Sequence, residues 1–282
     1  MLLVKVAILG LLRLQSVTVN DVVYTPRQAP VTIRGPVRVA TPALTRSYAG
    51  NLEITAENGE LRLFLHIPEE DLVAAIAAAE SPPNAPAAAL EAQAIVARSW
   101  LRASRRRHGA FDFCDTTHCQ HFKEPTAPAR RAAARTRGLV LAWNGRPFAP
   151  AYSASCGGRT QTAAAIGWRD DPGQYPYFAI ECPVCRRAEP AWTRQLSPED
   201  AREIAARPRQ EQARLAVGRR SGWDALPSNN YELLPGGVAR GRGHGHGLGY
   251  CQRGAAGLAS QGQSASQILR HYFPGTVIMS TR

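Results

Sequence analysis

Residues 68–100 run PEEDLVAAIAAAESPPNAPAAALEAQAIVARSW, and this stretch decides how the rest of the chain is read. It holds two helical patterns separated by a break. Over residues 68–80, Pro68, Glu69, Glu70 and Asp71 fill the first turn, where acids complement the positive end of the helix dipole. An apolar run follows and ends at Glu80, before the breaker Ser81-Pro82-Pro83-Asn84. A second helix is expected from about Pro86 to Arg107. Asn84 offers a cap, and Leu90, Ala94, Ala97 and Leu101 recur at helical spacing as one apolar stripe.

Upstream, the patterning changes period. VTVNDVVY, VTIRGPVRVA and LRLFLHI alternate or are β-branched, and Asn58-Gly59 is a hairpin signal, so residues 1–66 are expected as short strands. The opening MLLVKVAILGLL is interrupted by Lys5 and followed by Arg13 and Gln15 without a small-residue cleavage pattern. Residues 2–20 are therefore expected as the first strands rather than a leader.

Downstream, residues 108–128 form a polar loop rich in Cys and His, and ARRAAARTRG is a third helix stopped by Gly138. Strands LVLAW and FAPAYSAS are joined at Asn144-Gly145. Residues 182–240 are expected to be irregular, with one helix after Ser197-Pro198-Glu199-Asp200. Helices near 252–260 and over SASQILRHYF close the chain. Strands and helices segregate rather than alternate, so the fold class is α+β, with short N-terminal strands and central helices forming a groove with antiparallel strands. The expected division is a β-rich part over 1–66 and an α+β core over 67–282, with an Arg-rich insertion at about 204–240.

The 282 residues are 44% hydrophobic and 20% charged, which suits a folded chain with a real core. No apolar run reaches the length of a membrane-spanning helix. The net charge of +12 predicts attraction to a polyanion. No nucleic-acid motif accompanies that charge, and no aromatic residues interleave with a basic stripe, so nucleic acid is not an expected partner.

Four segments, in order, resemble the family of stage II sporulation protein D and the amidase enhancers. They are the 68–100 stretch; ARTRGLVLAWNGRPFAPAYSASCGGRT; Gly245-His246-Gly247-Leu248-Gly249 with Gln252, Gly254 and Ala255; and ILRHYFPGT. The resemblance implies action on peptidoglycan glycan strands in the cell envelope, in the manner of a lytic transglycosylase, with a cell-wall amidase as a further partner. It implies that Glu80 is the catalytic acid/base. Glycosidic cleavage needs a carboxylic acid to protonate the leaving oxygen, and partial desolvation suits that acid. One acid suffices when the sugar's own hydroxyl is the nucleophile. The family's second glutamate is replaced by Ala88, with Glu91 one turn later as a reserve, because residues three apart share a helix face. That replacement also favours a non-catalytic glycan-binding or amidase-enhancing role. Ser155, Gly157, Gly158, His246 and Gln252 are the expected substrate contacts.

Six cysteines complete the inventory. His108, Cys114, His118 and Cys119 supply the two sulfurs and two nitrogens that tetrahedral Zn²⁺ requires, with His121 as a substitute for His108. Some members of the similar family hold zinc in such a loop. The alternative is a Cys114–Cys119 disulfide. Four protein ligands would make the zinc structural. Cys156, Cys182, Cys185 and Cys251 are open to three readings: a second metal site, disulfides, or, for Cys156, a nucleophile with His246 as base.

Overall fold

Strand Glu60–Pro68 buries Leu61, Leu63, Leu65 and Ile67 and turns the alternate side chains the other way. It is the middle of a five-stranded sheet ordered Val31–Ile33, Asn51–Glu57, Glu60–Pro68, Leu3–Ile8, Phe113–Cys114. Asn58 and Gly59 both take positive φ, 51° and 76°, and close the expected hairpin with Glu57 opposite Glu60. Leu3–Ile8 pairs antiparallel with Glu60–Pro68, setting Val6 opposite Leu65. Lys5 interrupts the apolar run without harm because it lies on the opposite face. There its ammonium meets Glu53 at 2.9 Å and stands over the Phe64 ring. A second sheet of four short strands is ordered Val22–Tyr24, Val17–Val19, Val37–Ala40, Thr45–Tyr48.

This computed structural model describes residues 2–10, 12–106, 108–116, 118–168 and 175–281. The chain divides into two compact units. The first runs to Glu80 and resumes over Gln93–Leu139, and the second comprises Ser81–Ala92 and Val140–Thr281.

In the first unit, helix α1 (Glu69–Glu80) follows directly from the central strand and buries Leu72 through Ala78. Helix α2 (Ala87–Ala103), which belongs to this unit from Gln93 onward, ends before the expected Arg107, which lies outside the described residues. Asn84 does not cap it: at φ 58° it sits in the preceding turn. Helix α3 (Ala127–Arg135) is capped by the Thr126 side chain, and Gly138 follows at φ 73°. Arg98 of α2 is wholly buried. It grips Glu70 through two hydrogen bonds of 3.0 and 2.6 Å and donates to the carbonyls of Ala133 and Leu139. One turn on, Arg102 makes two hydrogen bonds to Glu69, at 2.9 and 2.7 Å. The acids at the start of α1 thus act as arginine acceptors as well as dipole partners.

In the second unit, Leu139–Trp143 forms the expected hairpin through Asn144-Gly145, but its return strand is only Arg146–Pro147. Pro147 and Pro150 withhold ladder donors, so the rest of the expected strand reduces to Tyr152–Ser153, which pairs in parallel with Tyr250–Cys251. The largest departure is residues 182–240, which are ordered rather than irregular. Helices α4 (Pro183–Ala188), α5 (Pro198–Ala206) and α6 (Glu211–Ser221) accompany an antiparallel sheet ordered Ala191–Gln195, Val238–Arg242, Tyr231–Leu234. Trp192, Ile204, Ala213, Val217, Leu226 and Tyr231 share a core there. The pattern is hidden because the apolar positions are few and separated by arginines that form ion pairs, such as Arg214–Glu211 at 2.6 Å and Arg220–Asp200. Helices α7 (Gln252–Ser260) and α8 (Ala265–Tyr272) close the unit, the latter with a capping box from Ser264 and Gln267.

Replacing Arg98 strands Glu70 and the Ala133 and Leu139 carbonyls together. Arg98→Ala is expected to lower unfolding stability by about 3–5 kcal/mol, the cost of breaking a buried pair. Arg98→Lys should recover only part of it, having no planar fork. Urea unfolding followed by circular dichroism measures both; an Arg98→Ala loss below about 1 kcal/mol would contradict this account.

Candidate functional site

Glu80 is the last residue of α1 and is half-buried at the end of a helix whose preceding seven residues, bar Ala79, are buried. Ala88 lies in the first turn of α2 and is half-buried, as is Glu91 one turn later. A helix end is where a side chain can leave an apolar core and meet solvent, so Glu80 combines partial desolvation with access.

The Cys/His loop is fixed to the first strand of the chain. Phe113–Cys114 adds in parallel to Leu3–Ile8, with Cys114 opposite Ala7. Carboxylates reinforce the seam: Asp112 accepts from the Lys5 amide at 2.9 Å, and Asp115 accepts from the Leu9 amide at 3.1 Å. The loop brings His108, Cys114, His118 and Cys119 together, with one ligand atom from each within 4.8 Å of the others. His108 Nε2 lies 3.0 Å from Cys119 Sγ, and His118 Nδ1 lies 3.7 Å from both Cys114 Sγ and Cys119 Sγ. Metal–ligand bonds of about 2.0–2.3 Å give a tetrahedron edges of about 3.3–3.8 Å, so these residues fit Zn²⁺. His118 and Cys119 are adjacent, and a tight turn in which the Cys119 amide donates to the Thr116 carbonyl lets both face one point. His108 also stacks on Phe111 at 4.5 Å, which fixes its ring plane. Both cysteines are free thiols. His121 instead lines a cleft of about 380 Å³ with Arg46, Tyr48 and Lys123.

In the second unit, the Ser155-to-Gly158 turn and the 244–249 loop are stitched by reciprocal backbone bonds. Ser155 and His244 each donate to the other's carbonyl, at 3.1 and 2.9 Å. Gly157 takes φ 71°, and a Cβ there would lie 2.7 Å from the Arg242 carbonyl, so both its conformation and its space require glycine. Ser155, Gly157, Gly158 and Gln252 are all buried. Ser155 donates to Glu189 at 2.8 Å, and Glu189 is in turn held by Arg253 at 2.9 Å. Tyr250 donates to the Ala89 carbonyl at the start of α2.

His246 packs against Trp168, with ring centroids 4.9 Å apart. Its Nδ1 accepts from the Leu248 amide at 3.0 Å, which leaves Nε2 for the backbone at Tyr152. Burial pushes its pKa down to about 4, opposed by Glu211 and aided by Arg214. The imidazole is therefore neutral, and both nitrogens are engaged by backbone, so neither is left to activate Cys156. The buried Arg98 and Glu189 have no signal in the sequence, and Glu70 is legible there only as a first-turn acid. An arginine or glutamate in a polar-looking segment gives no sign of burial until its partner is placed.

The family described as SpoIID, stage II sporulation protein, matches residues 57–143, the segment that holds α1, α2, the Cys/His loop and α3. Stage II sporulation protein D of Bacillus amyloliquefaciens is 26% identical over 270 residues, covering 76% of this chain and 74% of that protein. Over these spans the chain is similar to the stage II sporulation protein D family. A Brachyspira hyodysenteriae protein of unassigned function is 25% identical over 269 residues, covering 82% of this chain and 72% of that one. Among the described residues, no helix is long and apolar enough to cross a membrane.

The state of His246 sets a pH dependence for the stability of the chain. The unfolded imidazole takes a proton below about pH 6.5, the folded one only below about 4. The stabilisation from keeping it neutral is complete above about pH 6.5 and is lost as the pH falls to about 4, at most about 3 kcal/mol. His246→Asn retains an acceptor for the Leu248 amide but does not titrate. The stability difference between wild type and this variant, from urea unfolding at several pH values, should shrink by about 1–3 kcal/mol between pH 7 and pH 4.5. A difference that stays constant with pH would contradict the buried neutral ring.

Proposed function

We propose that this chain cleaves the glycan strands of peptidoglycan as a lytic transglycosylase, outside the cytoplasm, with Glu80 as the single acid/base. The observation that carries this reading is Glu80 itself, a half-buried carboxyl ending a buried helix inside the segment that matches the family. The Glu80 carboxyl gives its proton to the glycosidic oxygen as the C–O bond breaks, and positive charge develops at the anomeric carbon. The resulting carboxylate then takes the proton of the sugar's own hydroxyl as that oxygen closes onto the same carbon. The carboxyl ends protonated, no water is consumed, and the product is an anhydro sugar end.

Zinc on His108, Cys114, His118 and Cys119 is structural in this reading, because four protein ligands leave no position for substrate. It would supply rigidity to the loop that follows α2, and the proton steps remain with Glu80. Gly157, Gly158 and His246 would present the glycan-facing part of the second unit, with Ser155 and Gln252 bracing it from behind. The net charge of +12 suits anionic wall polymers. Ala88 favours a second reading, in which the chain holds glycan and enhances a cell-wall amidase without cleaving.

Digestion of peptide-free glycan strands, read by mass spectrometry for anhydro-muramic ends, separates the two. Wild type should form them, and Glu80→Gln should slow their formation by about 10²–10⁴-fold, the usual weight of a general acid. Glu91→Gln should change the rate by less than about tenfold. No anhydro product from wild type, together with strand binding and faster amidase turnover, would establish the second reading instead.

A further inference from the structure

A second cluster of metal-binding character lies wholly inside the second unit. Cys156, Cys182, Cys185 and Cys251 come from three separate segments: the Ser155-to-Gly158 turn, the start of α4, and the residue that caps α7. One sulfur from each lies within 4.8 Å of the others, and all four residues are at most 1% exposed.

The sulfurs are not bonded to one another. All four are free, and Cys185 Sγ stands 3.5 Å from Cys251 Sγ. A disulfide needs about 2.05 Å. A tetrahedron of sulfurs at about 2.3 Å from a metal has edges of about 3.8 Å. The separation therefore fits shared coordination.

The surroundings are also those of thiolates. The amides of Cys156 and Gly254 both donate to Cys251 Sγ at 3.3 Å. The Tyr272 hydroxyl lies 3.3 Å from Cys182 Sγ. Donors converging on sulfur are the outer shell that a metal-bound thiolate requires. Apolar packing of neutral thiols has no use for them. Space points the same way: a Cβ on Gly254 would strike the Tyr272 hydroxyl and come within 2.6 Å of Cys182 Sγ. The nearby buried carboxylate, Glu189, is occupied by Ser155 and Arg253, so the donor set is sulfur alone.

We propose that Cys156, Cys182, Cys185 and Cys251 bind one tetrahedral zinc ion. An all-thiolate tetrahedron selects zinc or iron over magnesium, calcium or manganese. Four protein ligands close the sphere, so the ion is structural. It clips the Gly157-Gly158 turn and the start of α7 onto α4, adding to the few backbone bonds that join them, such as that from the Cys182 amide to the Gly158 carbonyl. This assignment is independent of whether the chain cleaves glycan or carries metal on the Cys/His loop.

The test is metal analysis of the purified full chain and two paired variants, Cys182→Ser/Cys185→Ser and Cys114→Ser/Cys119→Ser. Zinc that is lost from the first variant and retained by the second supports the site. Zinc lost only from the second variant, or iron with its thiolate absorption bands in place of zinc, overturns it. Should the first variant fail to fold, wild type answers alone. Native protein is alkylated with and without a strong chelator, and labelled cysteines are mapped by peptide mass spectrometry. Cys156, Cys182, Cys185 and Cys251 should be protected as purified and become labelled at least about tenfold faster after chelation. Disulfide-linked peptides among them, or labelling indifferent to the chelator, would overturn the assignment.

Discussion

The buried guanidinium of Arg98 is the constraint on which the first unit depends. Its planar fork meets the Glu70 carboxylate at the start of α1, while its remaining donors reach the Ala133 and Leu139 carbonyls around the end of α3. One side chain thus satisfies three elements at once. A charge placed at such depth is costly unless every donor is matched, so the geometry admits little variation in how α1, α2 and α3 meet. Glu80 stands at the far end of the same α1 that Glu70 anchors. The helix that carries the candidate acid is therefore held at its other end by an ion pair, and its orientation does not rest on alanine packing alone.

What could be read in advance follows a physical divide. Long periodic segments were legible: α1, the Asn58-Gly59 hairpin, α7 and α8 all lie where periodicity and turn chemistry put them. The His108, Cys114, His118 and Cys119 quartet was also legible, because ligands packed into twelve residues can hardly avoid meeting. The four-cysteine quartet could be named only as one of several open readings, since its members are spread over ninety-six residues and their convergence is a property of the topology.

The stretch from residue 182 to 240 shows why composition misleads. Arginine and proline suggested irregular chain, yet Trp192, Ile204, Val217 and Tyr231 build a small core. Each apolar residue there is isolated in sequence, and the arginines between them are held by acids such as Glu211, Asp200 and Glu232. Local pattern cannot reveal a core whose members arrive singly from several short elements. Ser155 carries a related lesson. Its motif pointed to a ligand, but its hydroxyl donates to the buried Glu189 carboxylate, so the motif reflects support for a loop at least as directly as contact with substrate.

The strand Leu3–Ile8 lies inside its sheet, flanked by Glu60–Pro68 on one side and Phe113–Cys114 on the other. Both neighbours are made long after it. During synthesis the first strand must wait some sixty residues for one partner and about a hundred for the other. Contacts so distant in sequence slow folding and leave apolar edges open in the meantime. The Asp115–Leu9 hydrogen bond, which seals the second seam, is among the last events that can complete this sheet. The Cys/His loop therefore hangs on a strand pairing that cannot form until the chain has reached it.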